Sequence, residues 1–123
     1  MTELNWNTAH PIALAELPEA ISIYIAAHNA GDIDAEVALA SDDLVVTDEG
    51  NTYTGPAEIR GWLEGVASEY TWTTELIAAA KVDDLHYDVQ QRIEGNFPGG
   101  LVDLHYRFWL ADATKIGRIV IEP

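Results

Sequence analysis

Cysteine is absent from this chain, which excludes disulfides and thiolate chemistry together. Positive charge is scarce as well: six Lys and Arg stand against 21 Asp and Glu, a formal net charge of −15. Such a surface repels phosphate backbones and anionic lipid, so neither nucleic acid nor a membrane is an expected partner. The acidity itself reads first as a source of solubility. Long apolar runs are missing, and no segment approaches the ~20 residues needed to cross a bilayer. The opening MTELNWNTAHPIALAELP has neither a cationic stretch nor an apolar core. A secretory leader is therefore not expected, and a cytoplasmic protein is. What is present is ordinary globular material: 48% of the 123 residues are apolar, enough for one domain, residues 1–123, with its own core.

Residues 1–17 read as a lead-in, with His10-Pro11 breaking any regular start and IALAEL able to form a short helical turn. Pro18 suits the beginning of a helix, and Ile21, Tyr24, Ile25 and His28 then fall on one helical stripe. Gly31 ends that helix, and Asp32 caps a second one over Ile33–Ala40. Ser41-Asp42-Asp43 reads as a turn, LVVTD as a strand, and TYT as a brief strand paired back across Asp48-Glu49-Gly50-Asn51. Thr54-Gly55-Pro56 opens a third helix with Glu58 in its first turn, and Ile59, Trp62, Leu63 and Val66 form its apolar stripe. Beyond Tyr70, WTTELIAAAKV, LHYDVQQRIEGNF, LVDLHYRFWL and KIGRIVIEP are separated by short turn-rich breaks, which predicts a meander of antiparallel hairpins. Helices followed by a sheet make an α+β domain. Three helices laid on the apolar face of a curved antiparallel sheet leave a cone with a pocket at its open end.

The phrases AAHNAGDIDAEVALASDDLVVTD, YTGPAEIRGWL and GNFPGGLVDLHYRF are similar to stretches of the SnoaL-like branch of the nuclear transport factor 2-like superfamily. The resemblance spans about residues 18 to 122 and implies the cystatin-like cone just described, with a homodimer through the outer sheet face. That superfold hosts isomerases, cyclases, dehydratases, hydrolases and non-catalytic binders. The first half resembles the ketosteroid isomerase branch. Tyr24 stands five residues before Asn29-Ala30-Gly31-Asp32, where that branch has its oxyanion-donating tyrosine. Asp48, following Asp42-Asp43, matches its catalytic base. The second half departs from the branch. The acid expected immediately before His105-Tyr106-Arg107-Phe108 is Leu104, with Asp103 one residue early and on the opposite face of a strand. The supporting tyrosine of the third helix is replaced by Leu63.

Asp48 shares its alternation set with Leu44 and Val46, which assigns it to the interior. A desolvated carboxylate there is a stronger base when ionised, and a Tyr24 hydroxyl could stabilise a developing oxyanion. Both residues also have plain structural readings, as a turn former and as a core tyrosine. His28 lies one turn beyond Tyr24 and is either a ligand contact or a packing residue. Tyr53, Trp62, Leu63, Trp72, Leu104, Tyr106 and Phe108 are candidate walls of the substrate pocket. His105 and Arg107 read as surface, while Trp109 on the same mixed face suggests an interface. No histidine pair has metal-ligand spacing, and Pro98-Gly99-Gly100 is a hairpin turn rather than a phosphate loop, so neither metal nor cofactor is expected. The expectation is a small apolar carbonyl compound undergoing proton abstraction, isomerisation or cyclisation. The alternative is a non-catalytic small-molecule binder or a dimeric accessory domain.

Overall fold

The computed structural model describes residues 4–123. Helix α1 (Glu19–Ala30) buries Ile21, Tyr24 and Ile25 on the predicted stripe. It ends where Gly31 takes φ 71°; Asp32 N–H donates to Ala27 O at 2.9 Å and Gly31 N–H to His28 O at 3.2 Å. This paired closure needs a left-handed residue, which glycine adopts without steric cost. Asp32 then accepts from Ala35 N–H at 3.2 Å and caps α2 (Ile33–Ala38). Two helix ends thus meet at adjacent residues, and the chain doubles back sharply enough to return Glu36 to the side of His28.

The expected turn at Ser41–Asp43 lies instead inside strand β2 (Ala40–Asp48), where the register shifts between Ala40 and Val45. An irregularity of this kind absorbs the polar residues without ending the strand. Strand β3 (Asn51–Thr54) pairs back on β2. The two residues between them, Glu49 and Gly50, have φ 52° and 78°, as a tight I′-type hairpin requires. Helix α3 (Gly55–Glu69) follows, and Glu58 reaches back to accept from Thr54 N–H at 2.9 Å. Ile59, Trp62 and Leu63 form its buried face.

Strands β4 (Trp72–Asp83), β5 (His86–Gly95), β6 (Leu101–Leu110) and β7 (Ile116–Glu122) are the four expected runs. They pair antiparallel in chain order. The lead-in contributes an additional strand, β1 (His10–Ile12), on the free edge of β4. Pro11 is tolerated there because an edge strand leaves one side without ladder donors. The full order is β1-β4-β5-β6-β7-β2-β3, and the β2–β7 seam is parallel. The expectation of a wholly antiparallel sheet is corrected at that seam. A chain that leaves β2 through β3 and α3 and runs the meander arrives at β7 pointing the same way as β2. Irregularities in β4 and between β6 and β7 add local bend to the sheet. The helices close its inner face, where Tyr24 meets Phe108 edge-on at 5.6 Å.

On the outer face, Arg92 holds Asp103 through two bonds of 2.9 and 3.1 Å. His105 bonds Asp88 at 3.0 Å, and Arg107 pairs with Asp88 and Glu122. Trp109 is half-buried on this face. The ring of Trp6, from the lead-in, meets it edge-on at 5.2 Å, and the Arg118 guanidinium lies 4.9 Å from its centroid. The large aromatic taken as an interface mark is therefore covered in part by its own chain. Among the described residues, no helix is long and apolar enough to cross a membrane.

Candidate active site

Asp48 closes β2 on the inward side, in step with Leu44 and Val46, which are 1% and 0% exposed. The I′ hairpin that follows pins the end of the strand, so the carboxylate projects over a cavity of about 380 Å³. Trp62, from α3, donates its indole N–H to Asp48 Oδ2 at 3.2 Å. Burial raises the Asp48 carboxyl above the usual carboxylate range; the Trp62 bond and the nearby His28 oppose this, and Glu49 adds to it. The cavity wall is otherwise largely apolar: Val66 and Trp72 from the α3–β4 side, Ile93, Val102, Leu104 and Ile121 from the sheet, and Phe97-Pro98 from a turn. A cavity of this size falls in the range that holds small organic ligands.

The structure brings six of the ten sequence-selected residues onto this wall: Asp48, His28, Trp62, Trp72, Leu104 and Tyr106. Leu63 lines a much smaller adjoining recess of about 40 Å³ that also touches His28 and Glu36. Tyr53 stacks on Trp62 with ring centroids 5.6 Å apart, supporting the wall from behind. Phe108 is 0% exposed and belongs to the core. Tyr24 also lies behind the wall. It is 1% exposed, and its sealed hydroxyl makes no hydrogen bond of ordinary length, the Glu36 carboxylate being the near acceptor. Burial raises its pKa well above the usual phenol value, with the charge of nearby Glu36 adding to the effect. Of the sequence-selected tyrosines, the one on the wall itself is Tyr106, raised first by burial and then by the charges of Asp48 and Glu36.

Leu104 occupies the wall and Asp103 faces outward to Arg92, so no second acid replaces the leucine. Sequence reasoning did not find Glu36. It is 2% exposed and bonds His28 Nδ1 at 2.8 Å. No spacing rule links residues on two helices across a reversal, and the one available signal was the Gly31-Asp32 pair that creates it. Nor were Ile93 and Ile121 selected, since each reads as ordinary strand core. Among the described residues, no three acidic or histidine side chains converge as metal ligands do.

Comparison with known proteins agrees with this architecture. The SnoaL-like domain family matches residues 21–112. No curated protein matches the chain. A protein assigned as a polyketide cyclase from Sinorhizobium meliloti is 29% identical, with 90% of this chain and 100% of that one covered at a TM-score of 0.82. The Δ5-3-ketosteroid isomerase of a Mycobacterium species is 18% identical, covering 85% and 89% of the two chains, TM-score 0.69. A computationally designed 17-OHP binder is 14% identical, covering 85% and 88%, TM-score 0.70. At such identities the last two share the fold.

Proposed function

This chain belongs to the SnoaL-like domain family, and from that premise we propose that it is a general acid–base enzyme acting on a small, neutral, mostly apolar carbonyl compound. The observation that carries this reading is Asp48. Its carboxyl is raised by burial and stands in the wall of a largely apolar cavity of about 380 Å³. A base in such a place is tuned toward neutral pH, where a carboxylate both ionises and pulls a carbon-bound proton effectively. Abstraction of a proton next to the carbonyl leaves an enolate, whose oxygen needs donors. Tyr106 on the wall is one. Tyr24, the donor expected from the sequence, lies behind the wall and does not line the cavity. Each such donor stabilises a transition state by roughly 2–4 kcal/mol. With Leu63 and Leu104 in place of further polar groups, the reaction is an isomerisation or cyclisation other than that of the ketosteroid isomerases.

The test is Asp48→Asn against a panel of enolisable ketones. Turnover should fall by about two orders of magnitude or more; unchanged turnover would remove Asp48 from the mechanism. A second reading, a non-catalytic binder of small apolar molecules, is favoured by the apolar wall and by the designed binder that shares the fold. It predicts ligand affinity with no turnover in the native chain. We also propose a homodimer through the outer sheet face, for which light scattering at micromolar concentration should give twice the 13.5 kDa chain mass.

A further inference from the structure

The buried Glu36 carboxylate takes no part in the chemistry above. An acid 2% exposed is rare unless paired, and this one is paired with His28 Nδ1 at 2.8 Å. An ionised carboxylate only accepts, so Nδ1 carries the proton. The other ring nitrogen, Nε2, makes no bond to a described residue and is not among the sealed polar atoms, while His28 itself forms part of the cavity wall. The ring plane is held too. Tyr24 and Trp62 stack with the imidazole at 5.9 and 6.3 Å and interplanar angles of 10° and 20°. Tyr106 meets it at 5.7 Å and 66°. A surface or packing histidine needs neither a buried acid nor a fixed tautomer.

We propose that His28 is a proton-transfer residue of this cavity, presenting Nε2 to the ligand oxygen, and that Glu36 is its positioning residue. The proposal rests on the reading of Asp48 as base. In the enolising step Asp48 takes the proton from carbon, and the C–H electron pair becomes the C=C bond. The carbonyl π pair moves onto oxygen, which takes the Nε2 proton of the imidazolium. The products are a neutral enol, a protonated Asp48 and a neutral imidazole whose Nδ1–H stays on Glu36. Return of the Asp48 proton to carbon and of the enol proton to Nε2 restores both groups. The titratable groups facing the ring are Tyr24 on α1, Glu36 on α2, Asp48 on β2 and Tyr106 on β6.

Long-range ¹H–¹⁵N NMR reads the ring directly, with His28→Gln assigning the signal among the four histidines. Neutral His28 should be the Nδ1–H tautomer, and Glu36→Gln should convert it to a mixture. Addition of 2-naphthol, an enol mimic, should move the Nε2 resonance. An Nε2–H tautomer in the native protein, or an Nε2 signal that 2-naphthol leaves in place, would overturn the proposal. With a ketone that is turned over, His28→Gln should lower kcat about 100-fold and Glu36→Gln about 10-fold at nearly constant KM. Glu36→Gln should also displace one limb of the pH profile. Full activity in His28→Gln beside an inactive Asp48→Asn would refute the role of His28 and leave the base assignment standing. Absence of turnover by the native chain would refute the base reading, and the two NMR results then decide the role of His28. Should His28→Gln fail to fold, Glu36→Gln and the naphthol response of the native protein decide it.

Discussion

Replacing Asp48 by Asn should stabilise the protein at neutral pH while removing its activity. In the native state burial raises the Asp48 carboxyl, whereas in the unfolded chain it titrates near its ordinary value of about 3.9. Between the two the folded state holds an extra proton, so stability falls as pH rises through the raised value, and above it the full cost of the buried charge is present. Each unit of displacement is worth about 1.4 kcal/mol. Asparagine carries no charge at any pH, and its carbonyl can still accept from Trp62 Nε1, now 3.2 Å from Asp48 Oδ2. Losing the charge-assisted part of that bond costs about 1 kcal/mol. The net expectation is a variant more stable than the native chain at neutral pH, with no advantage near about pH 3. Urea unfolding of both proteins across that range gives the difference directly. Glu64→Gln, at an exposed acid on α3, controls for the change in a net charge of −15. A variant no more stable than the native chain at neutral pH, or a difference independent of pH, would refute the desolvation argument for Asp48.

Tyr24→Phe removes a buried hydroxyl that makes no hydrogen bond of ordinary length; it should leave stability unchanged or raise it by up to about 1 kcal/mol, and a loss in urea unfolding would show that Glu36 accepts from it. In the same variant turnover should stay close to native, because Tyr24 does not line the cavity; a drop by an order of magnitude or more would restore it as a donor. Gly95→Ala should destabilise by about 2 kcal/mol or more, because the new methyl would lie 2.8 Å from Trp72 Cβ and against the Thr71 carbonyl; thermal melting checks this. Trp6→Ala uncovers Trp109 and removes the ring under Arg107. It should cost roughly 1–2 kcal/mol by lost burial and red-shift the tryptophan emission, and an unchanged spectrum would mean that Trp109 is shielded otherwise.

Local periodicity determined a great deal here. The stripes of α1 and α3, the glycine and aspartate between α1 and α2, and the alternation along β6 are properties of successive residues, and each is legible without the rest of the chain. Asp48 belongs with them. Its inward direction follows from the two-residue period that it shares with Leu44 and Val46, and its place at a strand end from the turn after it. Leu104 and Asp103 were separable on the same ground, since neighbours on a strand face opposite sides.

Only the tertiary structure decided which inward residues reach the cavity and which stay behind it. Tyr24 and His28 share one stripe, yet His28 forms the wall and Tyr24 packs under it against Phe108. A stripe gives a direction and no depth. The contact of His28 with Glu36 depends on the angle at which two helices meet, the parallel β2–β7 seam on where a long excursion returns, and the cover over Trp109 on how the lead-in crosses the outer face. Each joins residues whose separation carries no period, so none leaves a mark in the local sequence. Asp48 was legible because one strand positions it; the full wall around it was not, because six other elements, α1, α3 and β4 to β7, assemble it.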